Sequence, residues 1–219
     1  ASCQEVIDTV LMAYRLGEDP RVRLPVLVNL DGFYLSFTRE PVELPDAGAC
    51  HDWLGDYRAE NIRFRASAPV SQAVAVLGGG PYSYFRYQMH LAAQQALAAH
   101  AEAAAEFAER FGRRYESLES YRMDGAEYAL AMMGSFASKA RAAVDALRAE
   151  GWPIGLLRPR LLRPWPEAEL CTALAPLKAA AIIDQNLSLG RGGILHTEIA
   201  ASLAGKSPAP LLLSYVGGL

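Results

Sequence analysis

Short apolar runs of strand length alternate with segments of helix length through the second half of the chain, and no other feature restricts the possible fold as strongly. The predicted strands are residues 128–133, 154–157, 179–183 and 211–216. The predicted helices between them are residues 138–150, 167–174 and 194–203. An alternation of this kind implies a parallel sheet covered by helices on both faces, so the predicted fold class is α/β.

The beginning of the chain predicts one helix and one strand. Ser2 is followed three residues later by Glu5, a capping box that indicates a helix start, and Gly17 ends the helix. Two adjacent apolar stripes are predicted on it, namely Val6, Val10 and Ala13, and Ile7, Leu11 and Tyr14. The apolar run Pro25–Leu30 predicts a buried strand. Because one helix and one strand do not complete a sheet, we expect the chain to be part of a longer polypeptide.

The middle of the chain predicts a long connection followed by a long helix. From Glu43 to Gly80 there is no periodic pattern, and prolines and glycines interrupt the stretch, which is typical of a connection between domains. An alanine-rich helix then runs from about Tyr84 to Phe111 and stops at Gly112. Its predicted apolar face consists of Leu97, Ala101, Ala104, Ala108 and Phe111. We expect this helix to lean on a partner surface.

Charge and cysteine content restrict the partners and the compartment. The formal net charge is -3 and the sequence pI is about 5.8, so no basic field is available to bind nucleic acid or an anionic membrane. No apolar run approaches the roughly 18 residues of a membrane-spanning helix, and no basic-then-apolar leader is present. The widely separated Cys3, Cys50 and Cys171 favour reduced thiols over a disulfide framework or a cluster motif. We therefore expect a cytoplasmic protein with no nucleic-acid or membrane partner.

Ligands of open α/β sheets bind at the carboxyl ends of the strands, and the segment Asp184–Gly193 is the richest such position in this sequence. It is polar and glycine-dense, and it leads into a helix N-terminus that could hold an anion. The candidate cofactor-binding residues are Asp184, Gly190, Arg191, Gly192 and Gly193. The alternative is a tight strand-to-helix turn, which is favoured because the segment has neither the GxGxxG nor the Walker pattern.

Three arginines follow the end of the predicted strand 154–157. Arg158, Arg160 and Arg163 could bind a phosphate or a carboxylate, since the guanidinium group suits that geometry. Structural ion pairs with Glu167 or Glu169, or with another chain, are the favoured alternative.

The remaining strand ends offer weaker signals for catalysis. Gly134-Ser135 could form a nucleophile turn, but without the G-x-S-x-G pattern a helix cap is favoured. The four histidines, none of them in metal-ligand spacing with another, are His51, His90, His100 and His196. Since no Ser-His-Asp, Cys-His or paired-acid arrangement stands out, we expect no catalytic and no metal-ligating residue in this chain.

Several blocks of the sequence together resemble the alpha subunit of 2-oxoacid:ferredoxin oxidoreductases, most of all the pyruvate enzymes. The blocks in the first half are Leu30–Ser36, Phe85–Met89, Phe111–Tyr115 and Glu119–Arg122. The blocks in the second half are Met133–Ser135, Gly155–Pro166, Asp184–Gly193 and Gly217–Leu219. The similarity spans nearly the whole chain and weakens between about residues 47 and 77. The order and spacing of the blocks make the match specific.

This resemblance implies a complex that decarboxylates a 2-oxoacid on thiamine diphosphate with Mg. Electrons would leave singly through iron–sulfur clusters to ferredoxin, and coenzyme A would take the acyl group, or the reaction would run in reverse. Other segments or subunits would hold the diphosphate and the clusters, so that this chain binds no cofactor firmly. The implied fold is a domain like the C-terminal domain of transketolases, preceded by the end of a thiamine-diphosphate-binding domain.

The same resemblance divides the chain into three parts. Residues 1–46 would end the pyrimidine-binding domain, 47–125 would be a linker with the long helix, and 126–219 would be the transketolase C-terminal-like domain. The leading hypothesis is a structural, organising part of the oxidoreductase that is inactive alone. One alternative is a non-catalytic scaffold protein derived from such a subunit, suggested by Phe37 where the family usually has His. Another is a small-molecule-binding domain that uses Asp184–Gly193.

Overall fold

The computed structural model of the protein describes residues 1–58, 63–71 and 80–218. Its helices are α1 Cys3–Gly17, α2 Tyr34–Phe37, α3 Ala47–Leu54, α4 Gly80–Phe111, α5 Phe136–Ala149, α6 Glu167–Leu174 and α7 Ile194–Leu203. Its strands are β1 Leu118–Tyr121, β2 Tyr128–Ala131, β3 Ile154–Pro159, β4 Ala179–Asp184, β5 Leu187–Ser188, β6 Gly192–Gly193 and β7 Leu211–Val216. Within this described part of the chain, no helix is both long enough and apolar enough to cross a membrane.

Five strands form the main sheet in the order β1-β3-β2-β4-β7, and four of them are parallel. This arrangement confirms the α/β class. β1 pairs with β3 in the antiparallel direction and was not predicted, because its four residues include two polar ones and form no apolar run. It lies within the range that was predicted to be linker.

Helices cover both faces of the sheet, as predicted. On one face, α5 packs against β2 and β3 through a cluster centred on Val144 and Leu156. On the other face, α6 and α7 pack against β2, β3 and β4 through a cluster that includes Leu157, Leu170 and Ile199. Strands buried on both faces need apolar residues at successive positions, and this requirement explains the uninterrupted apolar runs of β3 and β4.

The direction in which the chain adds strands reverses between β2 and β4. The connection from β2 to β3 passes through α5 on one face, whereas the connections to β4 and β7 pass through α6 and α7 on the other. Right-handed crossovers require this change of face when the direction reverses. The reversal opens a crevice at the carboxyl ends of β2 and β4, the usual ligand position in such sheets.

Helix α1 is present as predicted, with Ser2 as its N-cap, but its buried face differs from the prediction. Asp8, Met12 and Leu16 are buried, whereas Val10 and Tyr14 of the predicted stripes are 39% and 61% exposed. The buried line faces α4, where Met12 and Leu16 join two apolar clusters. The apolar stripes alone could not indicate this orientation, because a buried carboxylate lies on the packed face.

The predicted buried strand Pro25–Leu30 is wrong. The segment forms no strand, and Val26, Leu27 and Leu30 are exposed. A strand needs a neighbour that pairs with its backbone groups, and none of the described residues pairs with this segment.

The predicted connection from Glu43 to Gly80 contains the short helix α3, whose Trp53 is buried against Phe107 with ring centroids 5.2 Å apart. Residues 59–62 and 72–79 of this prediction, with most of its glycine triplet, lie outside the described residues, as does Leu219.

Helix α4 starts at Gly80, four residues before the predicted start, and the predicted apolar face is partly wrong. Ala104 is buried as predicted, but Ala101 is exposed. The residues buried on the packed face are Ala96, Ala99, His100, Ala103, Ala104 and Phe107. An alanine-rich helix has apolar residues on several sides, so the packing of α1 and α3 decides which side is buried.

Candidate functional site

The segment after β4 folds into a small hairpin at the carboxyl edge of the sheet. β5 and β6 pair within it, and Gly190 and Gly192 have φ angles of +78° and +114°, which L-residues rarely adopt. Gly190 and Arg191 lie at the exposed tip of the hairpin. The glycines therefore serve a tight connection between strand and helix, which was the favoured alternative.

Asp184 occupies the helix N-terminus at which an anion was predicted. Its side chain is buried, and its carboxylate accepts hydrogen bonds from the backbone N–H groups of Leu195 (2.8 Å) and His196 (3.1 Å) in the first turn of α7. A Cβ at position 193 would overlap this carboxylate, so Gly193 leaves the space that the cap requires. Of the predicted cofactor-binding residues, the structure brings Asp184 and Gly193 together, while Gly190 and Arg191 lie at the hairpin tip.

A second carboxylate caps α5 on the other side of the crevice. The backbone N–H of Ser135 donates to the carboxylate of Asp31, more than a hundred residues earlier in the chain. Gly134 has a φ of +75°, and a Cβ there would lie 2.8 Å from both carboxylate oxygens. Ser135 is the N-cap residue, as the favoured prediction stated, but its own side chain forms no capping hydrogen bond.

Aromatic contacts hold the segment around Asp31 against α5. The rings of Tyr34 and Phe136 meet edge to face, with centroids 4.8 Å apart, and Lys139 Nζ lies 4.6 Å from the Tyr34 ring centroid. Phe33 has φ 69° and ψ -62°, and the Tyr34 N–H donates to Gly32 O at 2.9 Å. These values define a strained γ-turn. Residues 31–34 therefore close one side of the crevice.

Arg158 of β3 and Arg160 just after it form a buried ion-pair network that joins α1 to the sheet. Arg158 donates to Glu5 at 2.6 Å and to Glu119 at 3.0 Å, and Arg160 donates to Glu5 at 2.9 Å and also to Glu119. Arg141 donates to Glu119 from α5 at 2.8 Å. The prediction of structural ion pairs is confirmed in kind, but the predicted partners are wrong.

The predicted partners of these arginines are engaged elsewhere. Arg163 donates to Glu198 at 2.7 Å, Glu167 accepts from Lys206 at 2.7 Å, and Glu169 accepts from Ser117. Sequence proximity misled the prediction because the chain turns into α6, whereas Arg158 and Arg160 bind carboxylates of α1 and β1.

Electrostatics keep the network ionised. Burial raises the pKa of the Glu5 carboxyl, but the hydrogen bond from Arg158 and the charges of Arg158 and Arg160 lower it more, to about 2. Burial likewise opposes ionisation of Glu119, while Arg141, Arg160 and Arg158 lower its pKa below the usual value. Both carboxylates are therefore charged at neutral pH.

Asp8 forms a second buried network that the sequence did not reveal. Its carboxylate is fully buried and accepts from Arg113 at 2.6 Å and from the Tyr115 hydroxyl at 2.7 Å, with a longer bond from Gln4. Burial and the bond to Asp8 raise the pKa of Tyr115 above its usual value. The partners of Asp8 after α4 lie more than a hundred residues away, so no local spacing could have indicated them.

This arrangement can position segments and cap helices, and none of these interactions among the described residues forms a nucleophile–base pair. A carboxylate of the chain lies at each helix N-terminus at the crevice: Asp184 accepts from two first-turn N–H groups of α7, and Asp31 accepts from the N-cap N–H of α5. Among the described residues, no group of three or more His, Cys, Asp or Glu side chains is arranged to hold a metal ion. The geometry is that of a junction between two parts of the molecule.

Two protein-family models match the chain in succession. Residues 1–110 match the family described as "Pyruvate flavodoxin/ferredoxin oxidoreductase, thiamine diP-bdg". Residues 126–219 match "Pyruvate:ferredoxin oxidoreductase core domain II".

Curated relatives resemble the chain over almost all of its length. "Pyruvate synthase subunit PorA" of Pyrococcus abyssi is 36% identical over 216 residues, which are 99% of this chain and 54% of the relative. The subunit of the same name in Methanothermobacter thermautotrophicus is 37% identical over 202 residues, covering 92% of this chain and 52% of the relative. The "NADH-dependent phenylglyoxylate dehydrogenase subunit alpha" of Aromatoleum evansii is 34% identical, and the match covers 100% of this chain and 54% of the relative. The chain thus spans about half the length of these relatives.

A solved 2-oxoglutarate:ferredoxin oxidoreductase from Magnetococcus marinus matches with a TM-score of 0.38 and 22% identity. The match covers 60% of this chain and 21% of that one.

Proposed function

The chain belongs to the pyruvate:ferredoxin oxidoreductase family, and we propose that it is part of the alpha subunit of a multi-subunit 2-oxoacid:ferredoxin oxidoreductase. Pyruvate is the proposed 2-oxoacid. The observation that carries this proposal is the succession of two family models over most of the chain, joined by relatives whose printed name is pyruvate synthase. The proposed reaction forms acyl-coenzyme A and carbon dioxide from the 2-oxoacid with electrons passing to ferredoxin, or runs in reverse.

Within that enzyme, we assign this chain a structural and organising role. The proposed division remains 1–46, 47–125 and 126–219, with the last part similar to the C-terminal domain of transketolases. Two contacts made by residues of the first part hold it against the sheet. Asp31 caps α5 at the crevice, and Glu5 of α1 pairs with Arg158 and Arg160 beside β3.

Thiamine diphosphate, which supplies the chemistry of decarboxylation in this family, does not fit the residues described here. A diphosphate would need free N–H groups at a helix N-terminus, but Asp184 already accepts from two first-turn N–H groups of α7, and Asp31 accepts from the N-cap N–H that precedes α5. Two negative charges at the crevice would also repel it. We therefore propose that other segments or subunits hold the cofactor and its Mg, and the assignment of Asp184–Gly193 to cofactor binding stays a prediction.

Iron–sulfur clusters are assigned to partner subunits in this proposal. The three thiols, Cys3, Cys50 and Cys171, lie in separate parts of the sequence and do not form a cluster motif. Ferredoxin and coenzyme A would reach the chain only through the complex, and the proposed compartment is the cytoplasm.

The test is anaerobic purification of the protein from its source organism, with identification of accompanying chains by mass spectrometry. We expect companion subunits with thiamine diphosphate and iron–sulfur clusters, and ferredoxin reduction that requires both pyruvate and coenzyme A. A chain that is recovered alone, folded and free of cofactor would contradict the proposal.

A second candidate is a non-catalytic scaffold protein derived from such a subunit. The carboxylates that lie at both helix N-termini favour it, as does the exposed Phe37 where the family usually has His. Isolation of a complex that never contains the cofactor would support this candidate. A third, a small-molecule-binding domain, predicts measurable heats when adenine nucleotides or coenzyme A are added to the chain, and flat titrations would exclude it.

A further inference from the structure

A thiol and an amine lie in contact where α6 meets the end of α7. Lys206 Nζ donates hydrogen bonds to Cys171 Sγ at 3.1 Å and to Glu167 Oε1 at 2.7 Å. Cys171 is a partly buried residue of α6, and Lys206 follows the C-terminal end of α7. The contact therefore joins two elements through residues that are 35 positions apart in the sequence. Neither the helix caps at the crevice nor the ion-pair network of α1 includes it.

Lys206 is held in place at both of its ends. Its backbone N–H donates to Leu203 O at 3.0 Å, and its ammonium group binds Glu167, which lies one turn before Cys171 on the same face of α6. An ammonium group has three N–H donors, so it can bind the carboxylate and the sulfur together. The hydrogen bonds with Glu167 and then with Cys171 raise the pKa of Lys206, so the amine is charged at neutral pH.

The positive charge beside Sγ favours the thiolate, which is the form of cysteine that reacts with oxidants and alkylating reagents. Cys50 is also partly buried, but its surroundings have the opposite effect. Burial and the charges of Asp46 and Asp8 raise the pKa of the Cys50 thiol, which keeps it protonated. We therefore expect Cys171 to react before Cys50.

From these contacts we propose that Cys171 and Lys206 form a redox-dependent modification site, at which a peroxide joins the two side chains through a sulfur–nitrogen bond. The crosslink would tie α6 to the end of α7. The proposal does not depend on the activity proposed above, because it rests on the contact between these two side chains.

The reaction takes two steps and consumes one hydrogen peroxide. In the first step the Cys171 thiolate attacks a peroxide oxygen, so that an S–O bond forms and the O–O bond breaks. The sulfur is oxidised to a sulfenic acid, and the peroxide is reduced. The hydroxide that leaves takes a proton from the Lys206 ammonium group, which yields water and a neutral amine.

In the second step the Lys206 amine attacks Sγ. An S–N bond forms, the S–O bond breaks, and a second water leaves, as in the known condensation of sulfenic acids with nitrogen. The thiolate, the ammonium group and one peroxide thus give a sulfenamide and two waters. The nitrogen is already 3.1 Å from the sulfur, and the lysine side chain is 43% exposed and flexible, so it can close the gap while both helices stay in place.

Mass spectrometry of the purified 219-residue chain, treated with hydrogen peroxide and digested with trypsin, tests the crosslink. We expect a product that joins residues 161–178 to residues 192–219, because a modified Lys206 is not cleaved. It should be lighter by about 2 Da than the two peptides together, since two hydrogens are lost, and dithiothreitol should separate it. Oxidation of Cys171 to a sulfenic or sulfinic acid without this product would overturn the proposal.

Lys206→Arg is the matched variant for the second step, because it keeps a positive charge beside Sγ but replaces the amine that attacks. We expect the crosslinked product to be lost and Cys171 to stop at the sulfenic acid, which dimedone traps. The same yield of crosslinked product in this variant would contradict the assignment of Lys206.

Rates of alkylation test the effect of the charge. Iodoacetamide at neutral pH should modify Cys171 faster than Cys50. Lys206→Met, which has a side chain of similar length, should slow the reaction of Cys171 by roughly fivefold, the effect of one unit charge at contact distance in water, and should leave Cys50 unchanged. An unchanged rate at Cys171 would show that Lys206 does not activate the thiol.

Discussion

Individual glycines at the crevice are placed where carboxylates cap helices. Gly193 lies against Asp184, and Gly134 lies against Asp31, so each pair consists of a buried or half-buried carboxylate and a residue without a Cβ. The two members of the first pair are nine residues apart, while those of the second are 103 residues apart. Only the first pair could have been suspected from the sequence.

Gly193→Ala should destabilise the protein. Its backbone has φ -65°, which alanine tolerates, so the effect would come from overlap of the new methyl group with the Asp184 carboxylate. We expect the free energy of unfolding to fall by about 1–3 kcal/mol, the usual range for overpacking. Urea unfolding would measure it. Gly217→Ala, where nothing lies within 4 Å, is the control and should change stability little; equal losses would refute the steric argument.

His100 should make the protein less stable in acid. Burial, with a smaller contribution from the charge of Arg160, lowers its pKa to about 4, against an ordinary value of 6.5. The neutral form is therefore favoured in the folded state. As pH falls from 6.5 to 4 the unfolded chain binds a proton that the folded chain does not, so stability is lost across that window, by about 3 kcal/mol in total.

His100→Leu would remove this loss, because the imidazole is buried and its Nδ1 lacks a hydrogen-bond partner in the described structure. Urea unfolding would measure the free energy of unfolding at pH 6.5 and at pH 4.5. The two values should lie closer together in this variant than in the unmodified chain. His90→Leu removes an exposed imidazole from the same helix and should leave the pH profile unchanged. A profile unaltered by His100→Leu would contradict the assignment.

At the scale of elements, ion pairs attach α1 to the sheet. Glu5 lies in the first turn of α1, while Arg158 is the last residue but one of β3 and Glu119 lies on β1. The position of Glu5 satisfied the capping-box pattern, but its side chain binds the arginines instead of the start of its own helix. The sequence pattern therefore identified the helix start correctly and misassigned the role of the acidic residue.

Arg158→Met should destabilise the protein strongly, because Glu5 and Glu119 would lose a partner that is only 7% exposed. Removing one member of a buried ion pair costs about 3–5 kcal/mol. Arg163→Met breaks an ion pair whose arginine is 63% exposed and should cost at most about 1 kcal/mol. Thermal or urea unfolding of the two variants measures the difference, and similar losses would show that the buried network contributes no more than a surface pair.

At the scale of the whole molecule, the segment around Asp31 connects the beginning of the chain to the crevice. The residues on either side of it are exposed, including Leu27, Leu30 and Phe37, so residues 31–34 are its main attachment to the sheet. The strained turn at Phe33 persists because the carboxylate and the Tyr34 ring are both held by α5.

Asp31→Ala should release this attachment. The Ser135 amide would lose its hydrogen-bond acceptor. Because a hydrogen bond to a charged group contributes about 1.5–3 kcal/mol, we expect hydrogen exchange of this amide to accelerate by about tenfold or more. Hydrogen exchange followed by mass spectrometry or NMR over residues 133–140 measures it. Asp56→Ala, which removes an exposed carboxylate far from α5 in sequence, should leave this exchange unchanged. Unchanged exchange in Asp31→Ala would contradict the role of Asp31 in this attachment.

The sequence by itself determined the second half of the molecule closely. The bounds of α6, α7 and β7 agree with the prediction, and β2, β3, β4 and α5 differ by one to two residues at their ends. Periodicity is sufficient there because β2, β3 and β4 are buried or half-buried at every position and each helix has one apolar side, so local pattern and final environment coincide. β7, at the edge of the sheet, is apolar in sequence but mostly exposed.

Only the tertiary structure decided how the first half is arranged and what occupies the crevice. The segment Pro25–Leu30 is apolar enough for a strand, but backbone pairing needs a neighbour, and none is described. The buried faces of α1 and α4 depend on each other, and Asp8, Asp31 and Glu5 find partners more than a hundred residues away. Such contacts follow from the path of the whole chain, so a local pattern cannot encode them.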